Sequence, residues 1–122
     1  MAADARRALG DAGEDAVARW YVTAGYDVLD RNWRCREGEL DLVLTRRGVL
    51  VFCEVKTRRT TAFGIPAEAV TITKQRRLRT LAMRWLDAHP RARAGTLRFD
   101  VASVLAAPDA RRPVIEVIEN AF

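Results

Sequence analysis

The chain has 122 residues, 49% of them apolar and 30% charged. That is one globular domain by length, with about enough chain to bury a single core. No apolar run approaches the roughly 20 residues a membrane span needs, and the N-terminus Met-Ala-Ala-Asp-Ala-Arg-Arg has no hydrophobic signal core, so a cytoplasmic protein is expected. The net charge of +5 favours a polyanionic partner such as nucleic acid, while two cysteines and one histidine exclude an ordinary zinc site.

Residues 1 to 8 are rich in alanine and arginine and read as a frayed end. A first helix is expected from Leu9 or Asp11 to Ala24. Ala16, Val17, Trp20, Tyr21 and Ala24 recur at helical spacing, and Gly25 comes next as a stop. Glu14 lies one turn before Val17, at the border of that apolar face. It reads either as a solvated helix carboxylate or as an acid leaning over the hairpin at residues 38 to 58. Tyr26 to Asn32 reads as a strand ending near Trp33. Residues 31 to 37 then form a basic connector, whose Arg34 and Arg36 suit a phosphate backbone and whose Trp33 is either a core edge or a base-stacking ring.

Gly38 to Arg58 reads as a β-hairpin turning at Arg47-Gly48. Arg46 then pairs with Val49, Asp41 falls opposite Glu54, and Glu39 falls opposite Lys56. Period-2 geometry puts those four polar residues on one face. Leu40, Leu42, Leu44, Val51, Cys53 and Val55 take the other, buried face, where Cys53 is a core residue. Directly opposed side chains sit about 4.5–5.5 Å apart at Cβ, a separation at which like charges destabilise a sheet. Two carboxylates there need a shared proton or a cation, and Mg²⁺ or Mn²⁺ prefers such oxygen ligands. Lys56 points to the same side as Glu54. A metal pair beside an ammonium is equipment for phosphodiester hydrolysis. Lys56 and Lys74 are the only lysines in an arginine-rich chain, and arginine does not replace a compact ammonium of adjustable pKa. The plainer alternative is a Glu39–Lys56 surface ion pair with Asp41 and Glu54 facing solvent.

Thr57 to Pro66 is a loop punctuated by Gly and Pro, and Arg58 and Arg59 at its start are placed to hold a substrate phosphate. A second helix is expected over Pro66 to His89, with a restart capped by Thr71 or Thr73 and a buried stripe of Leu78, Leu81, Ala82, Trp85 and Leu86. Lys74, Gln75, Arg76, Arg77 and Arg79 crowd its first turns, where an anion would relieve the positive charge. His89, before Pro90, is expected to be exposed. Leu97 to Leu105 is a strand, Pro108 to Pro113 a turn, and Val114 to Glu119 a last, antiparallel strand. The order α-β-β-β-α-β-β suits a mixed sheet flanked by helices.

These residues resemble a known group. Glu14 in a first helix, Asp41, and Glu54-Val55-Lys56 resemble the PD-(D/E)xK nuclease superfamily, and the element order is similar to its restriction-endonuclease-like core. Gly13-Glu14, Asn32, Gly38-Glu39-Leu40-Asp41-Leu42-Val43, Val51 to Arg58, Phe63-Gly64 and Lys74 look like the YraN-like bacterial family, related by fold to archaeal Holliday-junction resolvases. The likeness covers about Gly10 to Val104 of a single domain, 1–122. It implies Asp41 and Glu54 as ligands of Mg²⁺ or Mn²⁺, with the Val55 carbonyl as an extra one. Lys56 becomes the catalytic lysine, Glu14 the completing acid, and Gln75 a weaker match to a polar helix residue. The superfamily's proline before the first acid is absent, since Leu40 precedes Asp41. The implied activity is metal-dependent cleavage of DNA, with branched DNA favoured only through the family relationship. The alternative is a nucleic-acid-binding module that keeps the fold without cutting. Resolvase relatives are dimers, so the resemblance allows a homodimer.

Overall fold

Arg47 and Gly48 both have positive φ, 50° and 80°. A two-residue turn of that kind matches the right-handed twist of the strands it joins. It pairs β2 (Gly38–Arg46) with β3 (Val49–Arg58) in the expected register, from Arg46–Val49 to Leu42–Cys53. The computed structural model describes residues 2–59, 71–92, 95–106 and 112–122, with side chains from residue 7 onward. Most of the loop after Arg59, the Pro66 helix start and most of the Pro108–Pro113 turn lie outside the described residues.

The remaining elements are α1 (Ala2–Thr23), β1 (Asp27–Cys35), α2 (Ile72–Ala88), β4 (Thr96–Leu105) and β5 (Val114–Ile118). The five strands form one open sheet in the order β1-β2-β3-β4-β5. All neighbours are antiparallel except β3 and β4, which are parallel and joined through α2. A parallel pair needs such a crossover, because a tight turn cannot return the chain to the same end of the sheet. The result is a single small mixed α/β domain with two helices. No described helix is long and apolar enough to cross a membrane.

The helices cover opposite faces. Val17, Ala18 and Tyr21 of α1 pack with Leu42, Leu44, Val51, Cys53, Ala102 and Val104. Leu78, Leu81, Ala82 and Trp85 of α2 pack with Leu40, Val43, Leu50, Phe52 and Phe99. The hairpin is therefore buried on both faces rather than one, as a central strand beside a crossover helix must be. Cys53 lies in the first cluster and Cys35 packs against the second, so the two thiols sit on opposite faces and remain free.

Two boundaries and one burial depart from expectation, and one expected cap is found. α1 begins at Ala2, within the stretch read as frayed, because alanine and arginine are strong helix formers. β1 continues through the supposed basic connector to Cys35, where Arg31, Trp33, Arg34 and Cys35 pair with β2. α2 begins at Ile72 on an N-cap, where Thr71 Oγ1 accepts from the Lys74 N–H at 3.2 Å. His89 is half-buried rather than exposed: its ring stacks on Trp85 at 4.1 Å and faces Trp33 edge-on at 6.3 Å. Trp33 itself is partly buried against the α2-side core.

Candidate functional site

The pairing of β2 with β3 stops at Leu42–Cys53. Beyond it, Gly38–Leu40 stay with β1, while Glu54–Arg58 stay with β4. The sheet forks there, and Asp41 sits in the fork. The Val55 N–H donates to Asp41 Oδ2 at 2.8 Å, so a side chain replaces the ladder bond that β2 no longer supplies. Leu40 belongs to the α2-side core, whereas Leu42 and Leu44 belong to the α1-side core. Strict alternation is therefore broken at Asp41, and the expected common face for Leu40, Leu42 and Leu44 is not formed.

Glu14 reaches the fork from α1. The helix can approach because residue 13 is glycine: a Cβ there would run into Thr57 Oγ1 on β3. Glu14, Glu39 and Asp41 then bring carboxylate oxygens within 4.8 Å of one another. The Glu14 carboxyl is raised to about 7, chiefly by burial and next by the neighbouring Asp41, with a side-chain hydrogen bond from Asn32 opposing them. Asp41 is likewise raised, to about 6, with burial the largest cause. The Val55 N–H works against that shift, Glu54 and Glu39 add to it, and Lys56 opposes it. Glu54 is buried, at 7% exposure, and its Oε1 lies 3.4 Å from Lys56 Nζ. Glu54 Oε2 and Glu14 Oε2 are buried without a hydrogen-bond partner among the described residues. An unsatisfied buried carboxylate oxygen is costly and calls for a proton or a cation.

The expected residues are thus only partly gathered. Glu14, Asp41, Glu54, Val55 and Lys56 meet at the fork, with Val55 entering through its N–H. Asp41 and Glu54 do not form a ladder pair, and Glu54 stands outside the three-acid group although its charge acts on Asp41. The alternative Glu39–Lys56 pair does not form either, because Glu39 accepts from Arg34 Nε at 2.9 Å across β1 and β2. Arg36 and Arg59 are exposed, and Arg58 ends β3. Lys74, Gln75, Arg76 and Arg77 occupy the first turns of α2. None of those four is among the groups that chiefly set the charge state of Glu14 or Asp41.

Three residues carry roles that the sequence pattern does not reveal. Glu39 joins the acids while pairing with the exposed Arg34 rather than with Lys56. Asn32 bonds Glu14 from a left-handed backbone, φ 52°. Asp100, fully buried, accepts from Tyr21 Oη at 2.7 Å, from Arg98 Nε and Nη2 at 2.8 Å each, and from the Asn120 N–H at 3.0 Å. A lone acid inside Phe99-Asp100-Val101-Ala102 is the available signal, since a buried charge has to be paired.

The observed class is a small open-sheet α/β domain with an acidic fork between two central strands. The chain belongs to the family described as "Uncharacterised protein family UPF0102", which it matches over residues 13–104. It is 52% identical over 119 residues to a UPF0102 protein of Frankia casuarinae, covering 97% of this chain and 98% of that one. It is 55% identical over 108 residues to one of Frankia alni, covering 88% and 89%. A UPF0102 protein of Clavibacter michiganensis is 49% identical over 113 residues, covering 93% and 94%.

Proposed function

We propose that this protein is a metal-dependent nuclease of restriction-endonuclease-like type that hydrolyses DNA phosphodiester bonds at the sheet fork. The observation that carries this is the convergence of Glu14, Glu39 and Asp41, with buried, unpartnered oxygens on Glu14 and on nearby Glu54. An all-carboxylate donor set of this kind suits Mg²⁺ or Mn²⁺ rather than a softer metal. Glu14, Glu39 and Asp41 would hold the ion, with the buried Glu54 beside them. A divalent ion bound there supplies Lewis-acid polarisation of a phosphate oxygen and a more acidic water.

The chain's own groups do the rest. Asp41 is fixed by the Val55 N–H, so one acid is oriented in advance. Lys56 is held against Glu54 at the fork, where its ammonium can steady charge developing on the phosphate and orient the attacking water. Arg36, Arg59, Arg76 and Arg77 are exposed cations that can follow a phosphate backbone, and such binding weakens steeply with salt. Arg34 would have to exchange Glu39 for phosphate.

The test pairs Mn²⁺ calorimetry with cleavage of branched and linear DNA. Wild type is expected to take up Mn²⁺ and cut, Asp41→Ala to lose the metal, and Lys56→Ala to lose cleavage while staying folded by circular dichroism. Retained cleavage in Lys56→Ala would remove the assigned mechanism. DNA binding without metal uptake or cleavage would favour a non-cutting binding module.

A further inference from the structure

β1 meets the acid cluster at an irregular point. Its register with β2 shifts between Val28 and Asp30, and Asn32 takes φ 52° within the strand. Arg31 pairs with Leu42 and Trp33 with Leu40, which leaves Asn32 beside Asp41, where β2 also breaks its alternation. Two successive β1 side chains then grip successive residues of α1: Arg31 Nη2 meets Asp15 Oδ1 at 2.6 Å, and the Asn32 side chain bonds the Glu14 carboxyl. Asparagine is one of the few residues that adopts a left-handed backbone at low cost, and its amide can donate to a carboxylate.

We propose that Asn32 is a positioning residue of the acid cluster, its left-handed backbone and side-chain amide together holding the Glu14 carboxylate beside Asp41. The inference rests on the cation-binding role proposed above for that cluster. Asn32 touches neither the substrate nor the ion; it acts through Glu14, as outer partners orient the ligands of metal sites. A backbone-only role would be served equally by glycine, and an amide-only role would not need the unusual φ.

Three variants separate these possibilities. Asn32→Gly keeps the left-handed turn and removes the amide. It is expected to stay folded with a melting temperature close to wild type and to raise the Mn²⁺ dissociation constant about tenfold. Asn32→Ala also removes the amide but keeps a Cβ on the left-handed backbone, and is expected to melt below Asn32→Gly. In a Glu14→Ala background, which weakens Mn²⁺ binding by itself, adding Asn32→Gly should cause no further loss. That non-additivity distinguishes action through Glu14 from general loosening of the fold. An unchanged Mn²⁺ constant in folded Asn32→Gly, or a further loss in the double variant, overturns this inference and leaves the nuclease reading intact. A folded wild type that takes up no Mn²⁺, with or without DNA, overturns both.

Discussion

Glu14 and Asp41 carry raised pKa values, about 7 and about 6 against ordinary values of 4.5 and 3.8. The folded state therefore holds their protons more tightly than the unfolded chain does. The stability these groups contribute is complete at low pH and is lost as pH rises from about 4 to about 7. Glu14→Gln removes part of that loss. It should be more stable than wild type by about 1 kcal/mol near pH 8, after allowance for solvent screening, with no such gain near pH 4. Urea unfolding at the two pH values measures this, and a variant less stable at pH 8 would contradict the assignment of burial and acid crowding as the cause. If the acids bind the ion as proposed, adding Mn²⁺ to wild type should raise the melting temperature more at pH 8 than at pH 5, because carboxylates must be deprotonated to act as ligands. At this scale the shared side of Glu54 and Lys56 was legible from the period of β3, whereas the period of β2 breaks at Asp41 and did not place that residue. The roles of Asn32 and Glu39 were not, because their partners are Glu14 and Arg34, and no spacing rule predicts either contact.

Among the elements, α1 depends on Gly13. Thr57 Oγ1, Cβ and Cγ2 occupy the space a Cβ would take, and Thr57 lies in β3, which cannot move without disturbing β4. Gly13→Ala should push the helix off the sheet and cost about 1–3 kcal/mol, although alanine is the better helix former by about 1 kcal/mol. Chemical denaturation gives the sign: a stabilised variant would mean that the helix relaxes away from Thr57 freely. The same substitution should weaken Mn²⁺ uptake, since Glu14 rides on the helix. The hairpin turn, its register and the Thr71 cap were readable from neighbouring residues, because turn and cap chemistry is local. The bounds of β1 were not. Residues 31 to 37 look like a charged loop until β2 supplies pairing partners, and half of each side chain in an edge strand can stay in water.

For the whole molecule, Asp100 ties distant parts together. Its carboxylate receives Tyr21 from α1, Arg98 from its own strand and the Asn120 N–H near the C-terminus, while Arg98 Nη2 also donates to Tyr26 Oη at 2.9 Å. Asp100→Ala would strand the Arg98 guanidinium and the Tyr21 hydroxyl, and breaking a buried pair in this way costs about 3–5 kcal/mol. That is a large share of a small domain's stability of about 5–15 kcal/mol. The denaturation midpoint should fall sharply, with Asp100→Asn falling less because it keeps the shape and an acceptor. Midpoints within error of wild type for both would show the network to be dispensable.

The sequence by itself determined the element order, the turn at Arg47-Gly48, the hairpin register near it, a helix cap at Thr71 or Thr73 and the candidate acids, because propensity, period and turn chemistry act between near neighbours. The tertiary structure alone decided that β2 and β3 part after Leu42–Cys53, that α2 buries the hairpin's second face, and that Glu14, Asn32 and Glu39 meet Asp41 at the fork. Those outcomes depend on how closely α1 can approach the sheet at Gly13 and on which strand each end of the fork chooses to pair with. Both are settled by contacts between residues far apart in the chain, where local periodicity carries no information.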